Sequence, residues 1–205
     1  MVRVLGTVVN PDTDVTSISP NAPAGSDAEV STEVIPALTL TYFFNKNLAV
    51  ELFCCFAKHE IDGKGGLSGA GEIADTWIFP PALTLQYHFT SMGHFKPYVG
   101  AGVQYIAFFD ETTGNNGLSA TSVDIDNAFG FVLQAGADVS LGGGWVLNAD
   151  VKKTWLNTNV TWHFGDEDPI RADVDLDPWI FSVGLGYRFN LEDVFGRRSA
   201  PPPLK

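Results

Sequence analysis

Three things are scarce in this 205-residue chain: long apolar runs, basic residues and cysteines. No stretch reaches about 18 consecutive apolar residues, so a transmembrane helix is excluded. Twelve lysines and arginines stand against 24 aspartates and glutamates, for a net charge of −12. With no basic patch, nucleic acid is excluded as a partner. The two cysteines, Cys54 and Cys55, are adjacent. Neighbours on a strand point to opposite faces, so no disulfide framework follows and both read as small apolar side chains. Reactive groupings are missing too. His59, His88, His94 and His163 lack metal-ligand spacing, and no nucleophile–base constellation or phosphate loop occurs. No enzyme activity, metal or cofactor is expected. Asp173, Asp175 and Asp177 alternate in a way that hints at calcium. The glycine and closing glutamate of an EF-hand loop are absent, which favours a solvated acidic loop.

What the chain does have is alternation. In DPWIFSVGLGYRF (177–189), Trp179, Phe181, Val183, Leu185, Tyr187 and Phe189 form a large apolar face. The other face carries Ile180, Ser182, Gly184, Gly186 and Arg188. Period two over this length is a strand with one apolar face, and roughly 9–11 tilted residues with aromatic ends span a bilayer. Seven earlier stretches follow the same rule: 2–10, 34–44, 48–57, 77–89, 97–109, 125–141 and 145–162. Short turns at 45–47, 90–96 and 142–144 alternate with long loops at 11–33, 58–74, 110–124 and 163–176. Within the third loop, GLSATSVD is read as a helical turn.

This pattern predicts an all-β fold: an eight-stranded antiparallel up-and-down transmembrane β-barrel over residues 1–189, with short periplasmic turns and long external loops. Residues 190–205 form a proline-rich tail, expected to be periplasmic and extended. Strand-like sequence follows Met1 almost at once, without a secretory signal, and is read as the start of a mature exported chain. Of the 24 acidic residues, 19 lie in or beside the long loops, leaving Glu51, Asp138, Asp150, Glu192 and Asp193 elsewhere. An acidic outer rim follows, facing solvent and divalent cations.

Four segments resemble the OmpW family of Gram-negative outer-membrane proteins: PPALTLQYHF (80–89), KPYVGAGVQYIAFF (96–109), ADVKKTWLNT (149–158) and DPWIFSVGLGYRF (177–189). The resemblance spans about Val2 to Phe189. It implies an eight-stranded barrel in the bacterial outer membrane, with a hydrophobic channel associated with uptake of small hydrophobic molecules. Expected partners are the lipid bilayer, lipopolysaccharide and small hydrophobic solutes. The chain departs from the family in its adjacent cysteines and its tail, since members usually end at the terminal aromatic residue. The tail could dock a protein partner.

Sorting the inward face by height separates two groups. Near the short-turn end lie Glu51, Asp138, Asp150, Lys152 and Arg188, expected to pair as a salt-bridged periplasmic plug, because buried charges are tolerated only when paired. Near the long-loop end lie Phe53, Ile78, Pro80, Ile106, Phe108, Leu156 and Ile180, expected to form an apolar funnel. A plug would force an entering solute sideways. Pro36, Pro80 and Pro81 cannot donate to a strand ladder, so a lateral opening is expected beside them. The bland alternatives are a packed lumen and ordinary strand-end prolines. The competing function is a non-transporting accessory barrel that docks a larger membrane complex through its wall or tail. A soluble lipocalin-like binder is disfavoured, because Phe129, Phe131, Leu133, Ala135, Ala137 and Val139 would present an apolar band to water.

Overall fold

The computed structural model describes residues 1–114 and 118–190, so most of the tail lies outside the described residues. Its strands are, in chain order, β1 (Val2–Asn10), β2 (Thr13–Ile18), β3 (Ser26–Val30), β4 (Glu33–Phe43) and β5 (Leu48–Cys55). Then come β6 (Ala57–Gly65), β7 (Glu72–Phe79), β8 (Ala82–His88), β9 (Phe95–Thr112) and β10 (Ser122–Ile125). The last are β11 (Ala128–Gly142), β12 (Trp145–Trp155), β13 (Asn157–Phe164), β14 (Glu167–Leu176) and β15 (Trp179–Tyr187).

Eight of these close a barrel in the order β11-β12-β15-β1-β4-β5-β8-β9, with β9 returning to β11. Every adjacent pair is antiparallel, and the first and last strands meet through Val2↔Tyr187 up to Asn10↔Trp179. Closure removes the sheet edge that lipid could not satisfy. The outward face is apolar: Leu40, Leu85, Leu133, Val183 and Leu185 are all exposed, as a membrane wall requires. Aromatic pairs mark its lower margin, where Tyr42–Phe44, Tyr87–Phe89 and Trp145–Tyr187 sit edge to face at 5.2–5.3 Å. Trp77, Trp155 and Trp179 stand near the upper one.

The long segments between membrane strands are, among the described residues, largely strand rather than loop. They continue as strands above the barrel. A four-stranded sheet runs β10-β13-β14-β2, while β7, β6 and β3 extend the wall from the upper half of β9. The stretch 145–162 is therefore two strands, β12 and β13, and part of the expected helical turn is β10. The extension buries its own core, with Ile61, Ile73, Val123, Val160, Trp162 and Val174 inside. Acidic residues hide this from a composition reading because they occupy the outward positions of the same strands.

Several glycines let neighbouring strands approach closely. A Cβ on Gly102 would lie 1.9 Å from the Leu83 carbonyl oxygen and 2.7 Å from Thr84 Cα, both backbone atoms. Gly102→Val is therefore expected to cost the barrel about 1–3 kcal/mol, the usual range for overpacking. A urea titration of the refolded protein, read by its heat-shifted gel band, checks this.

Candidate functional site

The lower lumen is filled by a polar layer. Arg3, reaching inward from β1, donates from Nη1 to Glu51 Oε2 at 2.5 Å and to Thr41 Oγ1 at 2.8 Å. Its Nη2 donates to Asp138 Oδ2 at 2.9 Å. Lys152 donates to Asp150 Oδ1 and stands 3.6 Å from Glu51 Oε1. Gln134 Nε2 bridges Glu51 and Asp150 at 2.9 and 2.7 Å. Tyr98 donates its hydroxyl to Asp150 at 2.9 Å, and Asn148 Nδ2 donates to that hydroxyl and to Asp138. Arg3, Glu51, Lys152 and Asn148 are each about 1% exposed. Such a layer holds together as a unit, since displacing either cation would leave buried carboxylates without a partner.

The structure brings together Glu51, Asp138, Asp150 and Lys152, but not Arg188. Arg188 is exposed at the lower rim, with its guanidinium carbon 3.9 Å above the Phe43 ring. That ring leads through His88 to Tyr98 by contacts of 4.9 and 4.7 Å. The ion-pairing arginine is Arg3. Its register partner is Gly186, where a Cβ would fall 2.7 Å from Arg3 Cγ, so the missing side chain makes room for it. One signal marked it: Arg3 shares a face with Leu5, Thr7 and Val9, and a charge on a lipid-spanning strand must turn inward.

Above the layer the lumen becomes apolar. Lys152 Nζ lies 4.7 Å from the Phe53 ring centroid, where the polar layer meets the apolar core. Leu5, Phe53, Val132, Leu156 and Ile180 pack with Ile78 and Ile106 in one buried cluster. Ile78, Ile106 and Phe108 line a cavity of about 70 Å³, which extends upward between Ile61, Val160, Trp162 and Val174. Phe53, Leu156 and Ile180 do not line it; Leu156 and Ile180 stand two residues deeper in the barrel than Thr158 and Pro178, which do. Pro80 is buried in the wall rather than on this surface. A dry cavity of about 150 Å³ can hold benzene, so this one admits a solute of that size only if side chains move.

The prolines coincide with breaks in the ladder. Pro36 is exposed on the outer face and pairs with Gly6 of β1. On its other side, pairing with β5 ends at Ala37↔Cys55, and β6 leaves to join β3 and β7. The β5–β8 ladder ends at Phe53↔Ala82 and resumes between β6 and β7 at Ala57↔Ile78. Cys54, Cys55 and Phe56 thus face Phe79, Pro80 and Pro81 without rungs. Outside this seam the Phe56 and Phe79 rings stack at 4.9 Å.

His59 also lines the cavity, with Nδ1 2.9 Å from the Ser31 carbonyl. Burial in the extension holds its imidazole below the ordinary value, against the opposing pull of the Ser31 carbonyl and Glu33. The opened extension regains the ordinary value, so it binds the extra proton first, and stability falls as pH drops through the histidine range. Proteolytic nicking of the extension should increase on acidification, and His59→Phe should flatten that dependence. In the polar layer, Arg3→Met should cost about 3–5 kcal/mol in urea unfolding by stranding two carboxylates, and Arg3→Met/Glu51→Gln should recover part of that loss.

Comparison with known proteins agrees with this architecture. The OmpW family model matches residues 1–189. The outer-membrane protein y4mB of Sinorhizobium fredii is 38% identical over 172 residues, covering 82% of this chain and 72% of that protein. Outer membrane protein W of Vibrio cholerae is 34% identical over 169 residues, covering 80% and 77%. The crystal structure of OprG from Pseudomonas aeruginosa superposes with a TM-score of 0.84 at 31% identity, covering 92% of this chain and 94% of that one. Closed barrel, apolar wall and this similarity together place the protein in the outer membrane, and the chain belongs to the OmpW family.

Proposed function

We propose that this barrel passively admits small hydrophobic molecules from outside and releases them sideways into the membrane. The observation that carries the reading is a dead end: an apolar cavity stands over a buried layer built from Arg3, Lys152, Glu51, Asp138 and Asp150. An apolar solute gains by leaving water for Ile78, Ile106 and Phe108, by about 25 cal/mol for each Å² it buries. It gains nothing from the charged layer beneath, so straight passage to the periplasm is disfavoured. The rungless seam beside Pro36, Pro80 and Pro81 lies at the height of the apolar cluster, since Ala37, Cys55, Ala57, Ile78 and Ala82 all belong to that cluster. Opening the wall there breaks no ladder hydrogen bond. The acidic extension faces the lipopolysaccharide layer, where divalent cations can bridge its carboxylates to lipid phosphates.

The test is uptake of a neutral, environment-sensitive dye into vesicles with a lipopolysaccharide outer leaflet. The refolded barrel should exceed empty vesicles, and Ile78→Arg/Ile106→Arg should return uptake to the empty-vesicle rate. Equal traces for both proteins, at the empty-vesicle rate, would instead support the accessory barrel with a packed lumen.

A further inference from the structure

The wall is interrupted at a second place, three strands round from the first seam in one direction and five in the other. Pairing of β11 with β12 rises to Phe131↔Trp155 and stops. The two sides meet again higher up, where Asp126 N–H donates to the Asn159 carbonyl at 2.9 Å. Thr158 Oγ1 donates to the Asp126 carbonyl at the same level. Between these pins, no rung joins Ala128, Phe129 and Gly130 to Leu156 and Asn157.

Each edge of this window is anchored on its far side. Ala128 to Gly130 pair with β9 through Ala128↔Ile106 and Gly130↔Gln104. Leu156 donates its N–H to Asp177 Oδ1 at 3.2 Å and accepts from Leu176 N–H at 2.9 Å. The frame can therefore hold while the gap changes. One side chain fills that gap. Leu156 packs in the lumen cluster with Ile106, Ala128 and Val132. It also lines an outer groove of about 370 Å³ with Phe129, Phe131 and Trp155. At Gly130 the strands touch so closely that a Cβ would lie 2.6 Å from Leu156 Cβ. Phe129 and Phe131, 61% and 69% exposed, carry the groove onto the lipid-facing wall.

We propose that this window is a second lateral exit, with Leu156 as its leaf, through which neutral apolar solutes pass from the lumen to the outer leaflet. Below, the backbone is closed, since a Cβ on Gly130 would lie 2.0 Å from the Trp155 carbonyl oxygen; turning Leu156 to another rotamer clears the space above that contact, beside Ala128, without breaking a backbone hydrogen bond. Asp175 and Asp177 line the same groove, so the mouth repels carboxylates and favours uncharged solutes. The proposal rests on the uptake reading above.

The experiment uses the full chain in a Cys54→Ser/Cys55→Ser background, in the same dye-uptake assay, with folding followed by the heat-shifted band. Phe56→Cys/Phe79→Cys cross-links the first seam, across which those two rings stack at 4.9 Å. The cross-linked barrel should keep about half of its uptake, as for two parallel exits. Adding Leu156→Trp should abolish the remainder, whereas adding Leu156→Ala should raise it. A carboxylated form of the dye should pass the cross-linked barrel more slowly than the neutral form, and Asp175→Asn should narrow the difference. The second exit is overturned if cross-linking alone abolishes uptake, or if Leu156→Trp leaves the residual rate unchanged. An uncross-linked barrel no faster than empty vesicles sinks the uptake reading itself, and the exit with it.

Discussion

The structure depends on one constraint: in hydrocarbon, every backbone N–H and C=O must find a partner within the protein. Rungs from Val2↔Tyr187 to Asn10↔Trp179 meet this by joining the last membrane strand to the first. Once the sheet is closed, the faces are set. Large apolar side chains turn out to lipid, and everything polar on a membrane strand turns into the bore. The same rule gives meaning to places where rungs are missing. They cluster at the top of the membrane strands, where β5, β8 and β12 give way to β6, β7 and β13 and partners are exchanged.

Inside, the same low polarity acts in opposite ways on two kinds of side chain. Charged groups survive only by pairing, so Arg3 and Lys152 gather three carboxylates into one layer. Apolar groups need no partner, and above the layer they close around a small cavity of about 70 Å³. The bore is thereby polarised along its axis, charged below and apolar above, which is the asymmetry on which the proposed uptake rests.

Much of this was written in the sequence. Period two exposed the eight membrane strands and their faces, because lipid enforces the alternation without exception. The extension was hidden by its charge. In β14, Ile170, Ala172, Val174 and Leu176 point inward while Arg171, Asp173 and Asp175 point outward. Of the alternating aspartates that hint at calcium, Asp173 and Asp175 are the wet face of this strand, and Asp177 lies just past it, accepting from Leu156 N–H. Choosing between Arg188 and Arg3 needed the register: only the pairing of Arg3 with Gly186 shows which arginine has space to turn into the bore. The interruption at Leu156 could not be read at all, since nothing in ADVKKTWLNT marks where one strand changes partners.

The height of the wall has its own consequence. At roughly 3.3 Å per residue, the 18 residues of β9 run to about 60 Å, or about 45 Å of height at a tilt of about 40°, well above the apolar band of about 25 Å. The barrel wall therefore rises as a chimney well beyond the lipid, into the polar zone outside it. A greasy molecule meets that zone as a barrier of bound water and ions. In the proposed uptake the chimney shelters it past the barrier, so the distance that matters for permeation is travelled outside the bilayer rather than across it.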